Sequence, residues 1–455
     1  MNNLTNKRCI AFLRILVLKS VFFPIALFAN PFSDGVLPES ASCRAKLVDN
    51  WFVNDINEVQ SYSSLLLKNE INEEFLVRTE TQGIETKIIV SPCVQMQAEI
   101  ITGKAKQLVL YDTWPADSSG AWILYRNIQN GLPVRIRLFF QENPEIYLQI
   151  TPYAERSRVD LVVFGTHVAQ KIILGVPFEN FYAMSLVDLY FLTEKLLPWK
   201  YVIVPYGMYD DTIQMVAHIR NKLPAIVYKK DAAYNDLGQA VCISTGEARD
   251  NQDKNLIVAD SLGFLKWIAD GLIKPLTGSF CYIDSLFTET QTPIAGSLAS
   301  VALKEKDIYK SLNWTRNLAV AVLSARTRDA SLRFANSGVG VTTLEMPKCP
   351  YVAKSGYPVD CLPALLFVLA VTEPDLFFFG AICERVPLEK ELHHYEQAVV
   401  IFPYFTADNR FHVVVFENGA EYTLSQFLEK YKNTFIQLVR VTSSSNFLPL
   451  DNVAE

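Results

Sequence analysis

The sequence lacks several patterns that identify common classes of protein. It has no Cys-x-x-Cys spacing and no cysteine–histidine cluster at zinc-ligand spacing, so no structural metal site is predicted. His393 and His394 are adjacent and would point to opposite faces of a strand, which disfavours a shared metal. Gly338 and Gly340 lack the preceding strand, third glycine and lysine of a phosphate loop, so no cofactor is predicted either.

Charge and complexity exclude further classes. The formal net charge is −6 and no basic patch is present, which disfavours nucleic acid as a partner. No internal repeat or low-complexity segment is evident. Half of the 455 residues are hydrophobic and 12% are aromatic, which is enough for packed cores in two or three domains.

The first 29 residues have the layout of a secretory signal. They begin with basic residues and no acid: Lys7, Arg8, Arg14 and Lys19. A short apolar run at residues 20–28 follows and ends at the small residue Ala29. This pattern predicts export to the periplasm or the extracellular space, with an uncleaved membrane anchor as the alternative. A second apolar stretch at residues 362–371 is too short to cross a bilayer, so we expect a buried helix there and no integral span after signal removal.

Cysteine usage leaves the pairing open. Eight cysteines are present, and Cys9 lies in the predicted signal. The others are Cys43, Cys93, Cys242, Cys281, Cys349, Cys361 and Cys383. In an oxidising compartment an odd number leaves at least one thiol free or paired with another chain. The sequence does not predict which cysteines pair.

The first part of the mature chain alternates with a period of two. Ile146, Leu148 and Ile150 alternate with polar or aromatic neighbours, and the segments at residues 132–140 and 159–163 do the same. Turn residues such as Asn130-Gly131 separate these runs. Short alternating strands at this spacing predict an antiparallel sheet, as a sandwich or small barrel, in a β-rich domain at about residues 40–176.

After Pro177 the apolar period becomes helical. Residues 184–197 carry leucines at helical spacing, and Asp211 is placed to cap a helix whose apolar face includes Val216 and Ile219. The fold class expected for the whole chain is therefore α+β.

A motif that can carry chemistry lies at residues 260–269. Asp260 is placed to cap a helix running through Leu272, and residue 261 would lie in its first turn, where free N–H groups favour an anion. Gly263 would allow close approach of another segment. Together with Phe264 and Trp267 this resembles the nucleophile motif of the NlpC/P60 (papain-like) cell-wall peptidase family, Asp-Cys-Ser-Gly-Phe-Val followed by an aromatic residue. Ser261 stands where the family has its catalytic cysteine.

A second segment resembles the histidine-bearing hairpin of the same family. Val399, Ile401 and Phe402 resemble its first strand, and residues 406–409 the turn after it. Residues 412–416 resemble its second strand, and Asn418-Gly419 the turn that follows. The resemblance places His412 on the catalytic histidine. Thr423, or Gln437 on the last strand, would then be the polar residue that orients the imidazole.

Spacing is where the sequence departs most from the family. Ser261 and His412 lie much further apart than in a compact member, so the resemblance requires a large insertion, expected at about residues 283–390. Cys361 is the rival nucleophile because it lies at the compact spacing before His412, although Pro363 replaces the glycine of the motif. The papain-like domain would cover residues 180–445, with a nucleophile half at 180–275 and a hairpin half at 395–445. A tail at 446–455 would follow it.

The resemblance implies action on murein stem peptides, with His412 taking the proton of a nucleophile. An alcohol is much harder to ionise than a thiol, so Ser261 needs an aligned general base that the motif does not guarantee. The first expectation is therefore a secreted, catalytically impaired relative that binds peptidoglycan or another envelope component. The alternatives are an active peptidase using Cys361 or Ser261 with His412, and a non-enzymatic, adhesin-like surface protein.

Overall fold

The computed structural model describes residues 37–102, 105–249, 256–291, 308–342, 344, 346–385, 393–395 and 397–451. The predicted signal at residues 1–29 lies outside the described residues. Within them, no helix combines the length and apolar character needed to cross a bilayer.

An antiparallel sheet dominates the N-terminal part. Two short helices, α1 (Ala41–Ala45) and α2 (Ile56–Gln60), and a π-helical turn at Val48–Phe52 precede it. The strands are β1 (Leu65–Lys68), β2 (Glu74–Gln82), β3 (Glu85–Pro92), β4 (Val94–Thr102), β5 (Ala105–Thr113), β6 (Trp122–Asn127), β7 (Pro133–Phe139), β8 (Ile146–Tyr153), β9 (Arg156–Val163) and β10 (Thr166–Leu174). Eight of them form one sheet in the order β1-β2-β3-β6-β7-β8-β9-β10, while β4 and β5 form a separate hairpin.

The alternation in the sequence explains this sheet. Ile146, Leu148 and Ile150 of β8 are buried, and Tyr147 and Gln149 between them are only half-buried. The predicted antiparallel sheet is confirmed, and all of its described pairings are antiparallel.

Helical segments connect the two parts of the chain. They are the 3₁₀ turns Phe178–Tyr182, Trp199–Tyr201 and Leu223–Ala225, with α3 (Leu186–Thr193) and α4 (Asp210–Lys222) between them. Val216 and Ile219 are buried on α4 as predicted. The cap prediction was wrong: Tyr209 is the N-cap residue of α4, and Asp211 already lies within the helix.

A second sheet with helices on both faces forms the C-terminal part. Its strands, with two short pairs beside it, are β11 (Ile226–Tyr228), β12 (Ala232–Tyr234), β13 (Ala240–Cys242), β14 (Ile257–Ala259), β15 (Tyr357–Pro358), β16 (Leu376–Arg385), β17 (His393–His394), β18 (Ala398–Phe405), β19 (Phe411–Glu417), β20 (Ala420–Thr423) and β21 (Phe435–Thr442). Its helices are α5 (Ser261–Thr277), α6 (Ile283–Leu286), α7 (Lys310–Thr327), α8 (Phe334–Ser337), α9 (Leu362–Thr372) and α10 (Leu424–Lys430), with a 3₁₀ turn at Val359–Cys361. The main sheet runs in the order β15-β21-β16-β18-β19-β20, and β17 pairs with the end of β16.

The sheet lies between two helical layers. Helix α5 packs against α7, and α7 contacts β16 and β21, where Leu312 lies in one cluster with Ala381 and Cys383. Helix α9 covers the other face, where the Phe367 ring lies 5.3 Å from that of Phe405 and 5.2 Å from that of Phe411. The apolar stretch at residues 362–371 is thus a buried helix, as predicted.

The segment predicted as an insertion belongs to the middle of this domain. It supplies α7, α9 and β16, and β16 pairs with β21 on one side and with β18 on the other. Many of the residues between Ser261 and His412 therefore form the core of this domain. The predicted tail also packs: the N–H of Leu448 donates to the carbonyl of Gly271, and Phe447 is buried.

The presence of both helices and antiparallel sheets confirms the α+β class. The sheets described are antiparallel apart from the short parallel pair β11 and β14, and the larger helices are concentrated in the C-terminal part. One cluster of buried residues runs through both parts of the chain. The Phe164 ring, just after β9, lies 5.7 Å from that of Phe411 on β19.

Candidate functional site at the start of helix α5

Asp260 caps α5 as the sequence predicted. Its Oδ1 accepts hydrogen bonds from the N–H groups of Leu262 (3.0 Å) and Gly263 (2.9 Å). Ser261 is the first residue of the helix and is 9% exposed. The carboxylate of Asp260 thus occupies the place where a helix start binds an anion. Burial raises the pKa of the Asp260 carboxyl, and the N–H donors and nearby Lys310 oppose that shift.

Gly263 permits a close approach between α5 and β12. A Cβ atom at this position would lie 2.0 Å from the carbonyl oxygen of Ala232. That oxygen also accepts a hydrogen bond from the N–H of Asp260 at 3.0 Å. The glycine of the motif therefore fixes the start of the helix against a neighbouring strand, as predicted.

The aromatic residues of the motif anchor the same helix. The Phe264 and Trp267 rings stack at 5.9 Å between centroids, and Nε1 of Trp267 donates to the carbonyl of Leu450 at 2.9 Å. Both rings are buried. They hold α5 in place rather than line an opening.

A partly exposed charged network surrounds the helix start. The N–H of Asp231 donates to Oδ2 of Asp260 (3.2 Å), and Ser244 donates to the Asp231 carboxylate through its N–H (2.9 Å) and its hydroxyl (2.5 Å). Arg249 holds the carbonyl of Asp231 at 2.9 Å. Nζ of Lys310, the first residue of α7, lies 3.9 Å from Oδ1 of Asp231. Opposite charges thus meet beside Ser261.

His412 lies at the far end of the sheet from this network. Lys310 of this network directly follows residues 308–309, which share a cluster with Ala381 and Cys383. Ala381 pairs with Ala398 at the start of β18, so the network lies at that end of the sheet. His412 pairs with Tyr404 near the other end of β18, about 20 Å away at the rise of a strand. The structure therefore does not bring Ser261 and His412 together.

The surroundings of His412 are those of an exposed strand residue. Its ring is exposed and stacks on that of Tyr404 at 5.8 Å and 19°. The predicted hairpin is confirmed, because β18 pairs with β19, and Asn418 and Gly419 adopt positive φ in the turn after β19.

Cys361 is not near His412 either. It is the N-cap residue of α9 and follows β15 at the edge of the sheet. Three strands lie between β15 and β19, a lateral separation of roughly 19 Å. The N–H of Val359 donates to the carbonyl of Thr434, just before the start of β21, which places this segment at the end of the sheet away from His412. The second predicted pair, Cys361 with His412, is thus not formed.

Thr423 is occupied by a helix cap. Its hydroxyl accepts from the N–H of Gln426 at 3.2 Å, and the Gln426 side chain accepts from the N–H of Thr423 at 2.9 Å. This capping box starts α10. The other proposed orienting residue, Gln437, accepts a hydrogen bond from the hydroxyl of Tyr351 at 3.0 Å. Neither side chain is hydrogen-bonded to His412 in the described part of the chain.

We expect Thr423→Ala to lower the free energy of unfolding by about 1 kcal/mol, because the first turn of α10 loses its cap. Thr423→Ser keeps the hydroxyl and should stay close to the wild type. Urea unfolding of the three proteins measures the difference. If alanine and serine have the same effect, the hydroxyl does not stabilise the helix.

His393 is a residue that the sequence reasoning did not connect with this site. It pairs with Arg385, is buried, and lies at the same end of the sheet as Cys383. Alternation along β16 puts Cys383, Arg385 and hence His393 on the face covered by α7. No sequence motif indicates the position of His393. It depends on β17 pairing with the end of β16, beyond the residues of β16 that pair with β18.

The described residues contain no group of three histidine, cysteine, aspartate or glutamate side chains that could hold a metal ion. The polar groups at the helix start are the Ser261 hydroxyl, the carboxylates of Asp260 and Asp231, the Lys310 ammonium and the Arg249 guanidinium.

Comparison with known proteins gives one partial match. A family model described as a domain of unknown function (DUF8515) matches residues 33–201, which include the first sheet and α3 but not α4. No curated protein matches the chain, and no solved structure matches it.

Proposed function

We propose that this chain is a secreted NlpC/P60-like protein, with a papain-like C-terminal domain, that binds peptidoglycan or another envelope component without cleaving it. The helix start supports the resemblance, because Asp260 caps it and Gly263 lies against β12 as the motif requires. The absence of catalysis rests on Ser261.

The structure places Ser261 and His412 at opposite ends of the sheet, and this observation carries the proposal. Proton transfer from an alcohol needs a general base within hydrogen-bond reach. The helix start offers little help, because the carboxylate of Asp260 already accepts from the N–H groups of Leu262 and Gly263. A hydroxyl in this setting is a weak nucleophile.

The same region is suited to binding. Lys310 and Asp231 present opposite charges and keep 27% and 28% of their side-chain surface exposed. Peptides of the cell wall carry both carboxylates and amines, and such a pair complements both groups. In this proposal Lys310 contacts a carboxylate of the ligand and Asp231 an amine.

Sedimentation with purified peptidoglycan tests the proposal. We expect the mature chain to pellet with the polymer, and Lys310→Ala to weaken binding about tenfold through the loss of one charge-assisted hydrogen bond. Lys222→Ala is the matched control, because Lys222 is also paired with an aspartate and is 28% exposed, but belongs to α4. The control should bind like the wild type.

Two outcomes would contradict the proposal. A chain that stays in the supernatant does not bind peptidoglycan. Equal losses in Lys310→Ala and Lys222→Ala would show that binding depends on general charge rather than on the start of α5.

A further inference from the structure

Two cysteines at the ends of one short loop lie close together beside the second sheet. Cys361 is the N-cap residue of α9, and its Sγ lies 3.5 Å from the carbonyl oxygen of Lys348, the residue before Cys349. The two thiols are near enough for each to shift the pKa of the other. Both are present as free thiols.

We infer that Cys349 and Cys361 form a disulfide bond when the chain is oxidised, closing the loop that carries β15 onto the start of α9. Formation of this bond does not require the proposed function.

The loop between the two cysteines is already held in one conformation. The N–H of Val352 donates to the carbonyl of Gly356 (2.9 Å), and the N–H of Gly356 donates back to Val352 (2.8 Å). The rings of Tyr351 and Tyr357 meet edge to face at 5.3 Å. A segment held in this way keeps Cys349 and Cys361 beside each other in one conformation, which favours formation of the bond.

The surroundings give the two thiols different roles. Cys361 is half-buried and reachable, whereas Cys349 is fully buried. The hydrogen bond from Cys349 lowers the pKa of the Cys361 thiol, and that same hydrogen bond together with burial raises the pKa of the Cys349 thiol. Cys361 is thus the thiolate that reacts first, and Cys349 is the thiol that completes the bond.

The reaction balances by thiol–disulfide exchange with a disulfide-carrying oxidant, either a protein or a small molecule. The Cys361 thiolate attacks one sulfur of the oxidant and forms a mixed disulfide, and the other sulfur leaves as a thiolate. Cys349 loses its proton and attacks Sγ of Cys361, which expels the second thiolate. Two thiols of this chain are oxidised, and the disulfide of the oxidant is reduced to two thiols.

Peptide mapping of the full chain tests the inference. The protein is equilibrated with oxidised glutathione, denatured, alkylated and digested with trypsin without reduction. Cleavage after Lys348 and Lys354 isolates Cys349 from Cys361, so we expect the two peptides to be joined. Fragmentation between Cys361 and Cys383 identifies the linked sulfur.

The matched control is Cys242, which is also half-buried and should be alkylated in the same sample. Cys349→Ser should leave Cys361 alkylated or joined to glutathione. Alkylation of both Cys349 and Cys361 in the oxidised wild type would overturn the inference, as would linkage of Cys361 to any other cysteine. Because this readout does not involve peptidoglycan, its failure is distinct from failure of the proposed function.

Discussion

Replacing Gly263 by alanine is expected to lower the free energy of unfolding by about 3 kcal/mol, the upper part of the usual range for overpacking. The added Cβ would lie 2.0 Å from the carbonyl oxygen of Ala232. That oxygen is backbone and already accepts from the N–H of Asp260, so it cannot move aside without breaking a second contact. Helix α5 would have to shift away from β12.

Gly175→Ala is the matched control for this substitution. A Cβ at Gly175 meets no atom within 4 Å, and the residue is not among the glycines with positive φ. Its effect should be within about 0.5 kcal/mol of zero. Urea unfolding of both variants measures the difference, and equal stabilities would mean that β12 does not approach α5 this closely.

The second large effect is expected for Asp270→Ala, which should lower the free energy of unfolding by about 3–5 kcal/mol. Asp270 and Lys266 form an ion pair within α5 at 2.5 Å, and their side chains are only 3% and 1% exposed. Oδ1 of Asp270 also accepts from the N–H of Cys281 at 2.8 Å. Alanine would leave a buried ammonium without its counter-charge and a buried N–H without its acceptor.

An exposed ion pair provides the comparison. Arg220 and Glu421 are joined at 2.6 Å, with 45% and 31% of their side chains exposed, so Glu421→Ala should cost about 1 kcal/mol or less. The double variant Lys266→Met with Asp270→Leu should recover part of the loss of Asp270→Ala, because no charge is then buried alone. If Asp270→Ala and Glu421→Ala are equally stable, the Lys266–Asp270 pair is not buried.

Features set by neighbours in the sequence could be predicted from it. The alternation of Ile146, Leu148 and Ile150 is a local consequence of one face being buried, and it correctly indicated an antiparallel strand. The cap at Asp260 and the hairpin turn at Asn418-Gly419 were also correct, since each depends on the conformation of a few adjacent residues.

The central strand β16 could not be recognised in this way. Residues 376–382 form a nearly continuous apolar run, because both faces of this strand are covered by helices. Without alternation, such a run does not distinguish a buried strand from a buried helix. The strand was therefore assigned to an insertion, although it pairs with β18 and β21 in the middle of the sheet.

The predicted catalytic pairs depended on the same missing information. The motifs around Ser261 and His412 each have the local structure that was expected, but the order of strands decides which end of the sheet each one reaches. The start of α5 lies at the end where β18 begins, while His412 lies near the end where β18 stops. Only the long-range pairing shows this separation.

Oxidation of Cys361 bears on the proposed function as well. A sulfur held in a disulfide with Cys349 cannot act as a nucleophile, so in an oxidising compartment the bond would block a thiol that already lies far from His412. The chain would then retain Ser261 as the residue in the nucleophile position.

The most direct test of the central claim is release of soluble fragments from purified peptidoglycan by the mature chain. The proposed function predicts binding without release, so fragments and new amino groups should stay at the level of a Ser261→Ala sample. Release that is lost in Ser261→Ala, and also in His393→Ala but not in His412→Ala, would contradict the account. It would show that His393, at the same end of the sheet as Ser261, acts as the general base for the Ser261 hydroxyl.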